Sequence, residues 1–441
     1  MERLRSLPDN PVILWGNPYG IPDRNKSSNG VNDLFQEGKP YLESKGFRIF
    51  SVGPKVDNDV ADYNLGTAVD IPKWLTKLTG TTFPVVPPYD KRKARDLILE
   101  LFPYFLFLDE PTAGLGFFAH GLISGMPRRE DGKPVSVIVS RHHAGIYSER
   151  AEKIYSFLLE LGKLIRRPEF TRYGVPNGKI TPSMRNTIFR NIDARIAVSR
   201  STAEAFKKRL NDGAEYTIIY NGVNTDDFSP EGPIIKEWIE EDGKDIILFA
   251  PGRLEPRKGG KTAIESYVVI KRERPNVKLI IVGDGPDEKD LKHMVSSKKI
   301  PDVKFVPRLP RHGDINYDMA LRTAKLCLCT PKGGEGFGRV VIEPLVRGTP
   351  VVASDIPGYN EAVDGGKHPF AVLAQPQNLE DIAKKAIGIL DWTEEMRQKL
   401  KWEAYDYVNR RFGWPIVTDQ MEDFLNDSDN RHGGVHWTER E

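Results

Sequence analysis

The sequence predicts an α/β protein with two parallel-sheet domains facing across a cleft. Three observations carry this. Near the start, an apolar run (residues 12–15), a glycine-bearing loop, a helical pattern (32–45) and a second apolar run (47–52) follow in order. Strand, loop, helix, strand is a βαβ unit, and such a unit needs a parallel sheet. The same order restarts at residues 246–250, with a glycine-rich loop, a helical pattern at 262–272 and a strand pattern at 278–282. Between the two series, residues 225–244 are polar and carry Pro230, Gly232 and Pro233, which marks a boundary. At 441 residues the chain also exceeds what one hydrophobic core ordinarily serves.

In the first series, Gly46 ends the first helix and Gly53-Pro54 closes the second strand. Residues 57–88 are rich in Gly, Pro and Thr and read as irregular. Lys91, Arg92, Lys93 and Arg95 precede an apolar helical run at 97–101. Such a cluster suits either a solvated helix face or an anionic membrane surface. Strands are expected at 103–108, 135–139, 192–198 and 216–220, and helices at 113–124, 148–166 and 202–210. The 135–139 strand runs into Ser140-Arg141-His142-His143. Parallel sheets hold ligands at the C-terminal ends of their strands. A histidine there either moves a proton or is a hydrogen-bonded structural residue.

In the second series, strands are expected at 303–306, 326–329, 351–353 and 371–373, and helices at 379–390, 394–411 and 416–425. Gly283-Asp284-Gly285-Pro286 begins like a dinucleotide fingerprint, but Glu288 stands at the place of the third glycine, so NAD is not expected.

Charged residues make up 29%, hydrophobic ones 39%, and the formal net charge is +2. This is an ordinary globular balance with no signature of a nucleic-acid partner. No apolar stretch approaches the roughly 18 residues of a membrane span. The first ten residues mix acids, bases and Pro8, so no signal peptide is expected and the location expected is cytoplasmic. Cys327 and Cys329 share one face of a strand, where a disulfide between them is geometrically poor. They read as buried small apolar residues of a reducing compartment. No histidine or cysteine cluster and no carboxylate triplet supports a tightly bound metal.

The chemistry concentrates in residues 334–361. Glu335 and Glu343 stand eight positions apart around Gly336-Phe337-Gly338, which opens a helix that Arg347-Gly348-Thr349-Pro350 ends. Glycines let a ligand approach the backbone, and a helix start suits an anion such as a diphosphate. A carboxylate beside that anion is repelled, so Glu335 is expected to face neutral sugar hydroxyls. The loop at 251–260 supplies Arg253 and Lys258 as cations for the diphosphate. The two loops are expected at one sheet edge. A second nearby acid suits a ribose. Together these residues describe a nucleotide-sugar pocket. Pro344 follows Glu343; a proline inside a helix costs about 3 kcal/mol and bends the axis, so it governs where Glu343 points.

On Glu335-Gly336-Phe337-Gly338 with Glu343, Gly252-Arg253 with Lys258-Gly259, Gly283 through Pro286, Ala197-Val198-Ser199 and Asn221 through Asn224, the chain resembles the retaining glycosyltransferases of family 4. These have the GT-B fold of two Rossmann-like domains. Within the family it is most similar to phosphatidylinositol mannosyltransferases, on Asn17-Pro18-Tyr19, Asn29-Gly30-Val31, Asp109-Glu110-Pro111 and Glu255 through Gly259. The resemblance implies an acceptor-side domain at 1–225 and a donor-binding domain at 226–411. A helix at 412–426 would cross back to the first domain, ahead of a disordered tail at 427–441. It implies Arg253, Lys258, Glu335 and His143 as catalytic residues, with His142 one place early for that role. Gly30, Gly252, Gly283, Gly336, Phe337, Gly338 and Glu343 would contact the donor, Glu343 at the ribose. The donor would be GDP-mannose or a UDP-sugar, with no further cofactor and no metal. The acceptor would be a lipid such as phosphatidylinositol, or a soluble sugar or polysaccharide. Lys91, Arg92, Lys93 and Arg95 would dock the chain on the inner face of the plasma membrane. A sugar-nucleotide binder without catalysis, or an epimerase, is the reading from another class; the set Arg253, Lys258, Glu335 and His143 argues against the inactive binder, and donor hydrolysis would separate an epimerase from a transferase.

Overall fold

The computed structural model describes residues 11–16, 30–55, 62–67, 91–101, 103–109, 123, 126, 128, 134, 136–142, 191–210, 213–225, 228–310 and 315–432. The chain forms two compact units, residues 1–220 with 417–441, and residues 221–416.

The first unit holds a parallel sheet of β1 (Val12–Gly16), β2 (Arg48–Lys55), β3 (Tyr63–Thr67), β4 (Phe105–Asp109), β5 (Val137–His142), β6 (Ala194–Ala197) and β7 (Thr217–Ile218). Their order across the sheet is β3-β2-β1-β4-β5-β6-β7. Ile13, Leu14, Phe105, Leu106, Val137 and Ile138 are buried. Such continuous apolar runs are what strands covered on both faces require. Helices α1 (Gly30–Ser44), α2 (Lys91–Leu101) and α3 (Arg200–Leu210) belong to this unit. Ser199 caps α3, its Oγ accepting the Thr202 N–H at 3.0 Å.

The second unit repeats the plan. Its strands are β8 (Asp245–Phe249), β9 (Val277–Val282), β10 (Val303–Val306), β11 (Leu326–Cys329), β12 (Val351–Ser354) and β13 (Ala371–Ala374), in the order β10-β9-β8-β11-β12-β13. Helices α4 (Lys236–Glu240), α5 (Gly260–Glu273), α6 (Glu288–Ser297), α7 (Tyr317–Thr323), α8 (Arg339–Val346), α9 (Pro357–Ala362), α10 (Leu379–Leu390) and α11 (Glu394–Phe412) surround it. Ile247, Phe249, Ile264, Tyr267, Leu279, Ile281 and Leu328 form one core cluster. Each such side chain contributes about 1.5–3 kcal/mol by leaving water.

The chain enters and leaves this unit side by side. Val223 N–H donates to Phe412 O at 2.8 Å, Thr225 Oγ1 to Asn409 Oδ1 at 2.7 Å, and Tyr405 Oη to Thr225 O at 3.0 Å. These bonds draw residues 221–225 into the second unit, ahead of the boundary at 225 expected from composition. The last helix, α12 (Trp414–His432), then rejoins the first unit, where Lys45 Nζ lies 2.5 Å from Asp419 and 3.2 Å from Glu422.

Several elements exceed the sequence expectation. Strand β3 lies inside the stretch read as irregular. Helices α4, α6, α7 and α9 were not expected, being short or largely polar. Helix α2 starts at Lys91, so the basic cluster is helical. Helix α12 runs past residue 427, where a disordered tail was expected. No Gly or Pro interrupts residues 416–432, and the buried Ser428 bonds back to Phe424 O at 2.7 Å. The expected helices at 113–124 and 148–166 lie outside the described residues, save Ile123.

Candidate functional site

In both sheets the strand order reverses beside the first strand, and such a switch point opens a crevice at the strand ends. In the second sheet it lies between β8 and β11. The loops leaving these strands are fastened together. Lys332 N–H donates to Arg257 O at 3.0 Å, and Thr330 Oγ1 to Gly259 O at 3.1 Å. Gly259 has φ +78°, and a Cβ there would lie 1.7 Å from Thr330 O. Only glycine meets both conditions. The loop after β9 joins from the other side: Leu254 N–H donates to Asp284 O at 2.7 Å and Asp287 N–H to Leu254 O at 3.1 Å. Gly252 and Gly283 meet there.

A short 3₁₀ turn, Pro256–Lys258, projects the charges. Glu335 Oε1 lies 2.5 Å from Arg257 Nη1 and 2.8 Å from Lys258 Nζ. The buried Glu255 holds Arg257 Nε at 2.9 Å through Oε2 and Arg253 Nε at 3.4 Å through Oε1. Three cations and two acids thus form one chain, Arg253–Glu255–Arg257–Glu335–Lys258. Lys258 and Glu335 are recessed, at 12% and 13% exposure, while Arg257 and Arg253 stand open at 44% and 53%. Burial disfavours the charged form of Glu335, but Lys258 and Arg257 outweigh it and hold the carboxyl below its ordinary range. Burial likewise works against the Arg257 charge, and Glu335 and Glu255 overcome it.

Two helix starts face the same loops. Helix α5 follows Gly259 and α8 follows Gly338, and neither has a side-chain cap. A helix start without a side-chain cap suits an anion.

Arg253, Lys258, Glu335, Gly252, Gly283, Gly336 and Gly338 thus gather on adjoining loops of one sheet edge. Two particulars differ from the sequence expectation. Glu335 meets cations, so the charge that would repel a diphosphate is already neutralised. The Phe337 ring is buried, edge-on to Phe412 at 5.2 Å. Sequence reasoning missed Arg257 and Glu255. Their signal was the alternation of basic and acidic residues at 253, 255 and 257.

Glu343 sits one turn into α8. Its side chain is 6% exposed and pairs with Arg339 Nη2 at 3.0 Å. Pro344 has no N–H for the Val340 carbonyl one turn back. That carbonyl accepts the Cys329 thiol instead, at 3.3 Å. Burial, opposed by Lys258, pushes the Cys329 pKa up to about 12, so the thiol keeps the proton it donates. Cys329 is more than the apolar filler expected of it.

Other expected residues lie elsewhere. Gly30 opens α1, and His142 ends β5. His143 falls outside the described residues, as do the side chains of His142, Lys91, Arg92 and Lys93. Arg95 is exposed on α2. Among the described residues, no group of three or more His, Cys, Asp or Glu could hold a metal ion, and no helix is long and apolar enough to cross a membrane.

Residues 233–407, which contain this site, match the family model described as Glycosyl transferases group 1. A phosphatidyl-myo-inositol mannosyltransferase of Mycobacterium tuberculosis is 27% identical over 251 residues, covering 55% of this chain and 63% of that protein. A GDP-mannose-dependent monoacylated alpha-(1-6)-phosphatidylinositol monomannoside mannosyltransferase of Corynebacterium glutamicum is 24% identical over 242 residues, covering 53% of this chain and 62% of that protein. The chain thus spans less than two thirds of the length of these relatives. Among solved structures, a glycosyltransferase from Rickettsia africae superposes with TM-score 0.65 at 15% identity, covering 96% of this chain and 99% of the other. HepE of Anabaena, in complex with UDP and glucose, gives TM-score 0.65 at 17% identity, covering 94% and 98%. The fold is GT-B, with two Rossmann-like units.

Proposed function

We propose that the chain is a retaining glycosyltransferase of family 4. It moves a hexose from a nucleotide diphosphate sugar to the hydroxyl of a membrane lipid such as phosphatidylinositol. The observation that carries this is the cluster of Arg253, Arg257 and Lys258 on Glu335, beside two helix starts without side-chain caps. As the bond from the sugar C1 to the diphosphate oxygen breaks, negative charge grows on the departing diphosphate. The three cations and the helix N–H groups stabilise it without reorganising. Glu335 orients the hexose hydroxyls, and Glu343, fixed by Arg339, contacts the ribose. The acceptor oxygen attacks from the face the diphosphate leaves, and its proton passes to the departing phosphate oxygen. Gly30 lets the first unit's loop approach the phosphates, and His143 is the active-site histidine. GDP-mannose is the first donor to try, since the Corynebacterium relative is named for it; UDP-sugars come next. Lys91, Arg92, Lys93 and Arg95 hold the chain to the inner face of the plasma membrane.

A thermal-shift panel of GDP-, UDP- and ADP-sugars tests donor binding, and turnover of the sugar that binds tests catalysis. Lys258→Ala should lower turnover by about 10²–10³-fold with the fold intact. Near-normal turnover in that variant would remove Lys258 from the mechanism.

A further inference from the structure

A second cationic pocket lies at the opposite edge of the second sheet. It is bounded by the starts of β11, β12 and β13 and by the first turns of α11, and its volume is about 190 Å³. Arg322, Lys325, Arg347, Arg397 and Lys401 line it, against only two acids, Glu231 and Glu394.

Two of these cations, Arg322 and Arg397, are held by carbonyls, and two others, Lys401 and Arg347, are ion-paired. Arg322 Nε donates to Ser229 O at 2.9 Å. Arg397 donates to three carbonyls, Lys325 O at 3.2 Å, Ile389 O at 2.6 Å and Leu390 O at 3.2 Å. Neutral carbonyls orient the Arg397 guanidinium, and Asp245 and Glu394 act on its charge. Lys401 pairs with Glu231 at 3.1 Å, and that glutamate is 67% exposed. Arg347 is wholly buried. It binds Asp318, which lies outside the pocket lining, and donates to Glu343 O at 2.8 Å, while its Nε has no hydrogen-bond acceptor among the described residues. With Asp318 and Asp245 added to Glu231 and Glu394, four acids face five cations, an excess of one positive charge. Burial together with the neighbouring Arg347 charge depresses the Arg322 pKa, as like charges crowded in a half-buried site require.

Such a site is short of negative charge. Its volume falls below the roughly 300–1,000 Å³ of pockets for drug-sized ligands, so the occupant is small. Arg322, Lys325 and Lys401 are partly exposed along this space, and guanidinium and ammonium donors match an oxyanion with several acceptor oxygens. We propose that this pocket is a second anion site, which binds a phosphate or diphosphate group at the edge of the sheet opposite the Glu335 cluster. The inference does not rest on the glycosyltransferase reading, since it uses none of that site's residues.

The test is isothermal titration of the full chain with inorganic diphosphate. Lys258→Ala serves as the parent, which weakens the other anion site. This parent should still bind diphosphate. Adding Lys325→Gln and Lys401→Gln should weaken that binding by about tenfold or more. Lys325→Arg with Lys401→Arg should restore it, and circular dichroism checks that each variant is folded. The proposal is overturned if the parent takes up no diphosphate, or if the folded double glutamine variant binds as tightly as the parent. Loss of donor turnover in Lys258→Ala bears on the first site alone, so the two readings fail separately.

Discussion

The two units fold alike and differ in what their first loop carries. In each, the first and fourth strands are neighbours and the sheet order reverses between them. Each first loop leads into a helix that starts at a glycine, Gly30 or Gly260. Residues 250–259 of the second unit bear Arg253, Arg257 and Lys258, with Glu255 between the arginines. They are bonded to the loops from β9 and from β11. Residues 17–29 of the first unit mix Asp23 with Arg24 and Lys26. Topology therefore offers a ligand crevice twice, and on the proposed function loop chemistry decides which becomes an anion site. On the proposed function, the second unit binds the donor and the first meets the acceptor.

The comparison breaks most sharply at Gly259. Gly259→Ala combines a left-handed backbone with a collision on Thr330 O, so urea unfolding should show a loss of about 3 kcal/mol or more. Gly30→Ala, at the first residue of the first unit's own helix rather than in the loop before it, should move stability by under about 1 kcal/mol. Equal losses in both variants would erase the difference drawn here. Next in size is the first unit's basic helix. Neutralising Lys91, Arg92 and Lys93 to Gln should weaken co-sedimentation with anionic vesicles by about 100-fold, at roughly 1 kcal/mol per residue. Unchanged binding would leave a soluble acceptor. The smallest effect concerns α8. Cys329→Val removes the donor to Val340 O and should cost about 1 kcal/mol. In a Pro344→Ala background, position 344 regains an N–H, so the same change should cost less. A coupling of zero in this double-mutant cycle would show that the thiol does not replace the missing donor.

Much of this was legible in the sequence, and the reasons are physical. Buried parallel strands are continuous apolar runs, so β10 and β11 were read at their observed bounds, and β8 and β9 within a residue. Helix α10 was read at its bounds, between Asn378, which caps it, and Asp391. Short helices such as α4 and α9 carry too few turns to set a period. The site loops were found because glycines, cations and acids at those spacings have few other uses. The pairing inside the site was not found. Glu335 and Arg257 are 78 positions apart, and no local pattern encodes such a contact. The accommodation of Pro344 was equally hidden, because the compensating donor sits on β11 rather than on the helix. The clash at Gly259 depends on Thr330 O, which no spacing rule places.

The paired crossing segments have a consequence for how this architecture is inherited. Because residues 221–225 are bonded to 405–413, the second unit begins and ends at one spot and behaves as a cassette set into the first. A segment whose ends lie together can be moved, replaced or closed into a ring without stretching its own core. Its cation cluster and its second pocket are both made wholly of residues between those ends. On both proposals, anion recognition is a transplantable trait of this chain, separable from whatever the interrupted first unit recognises.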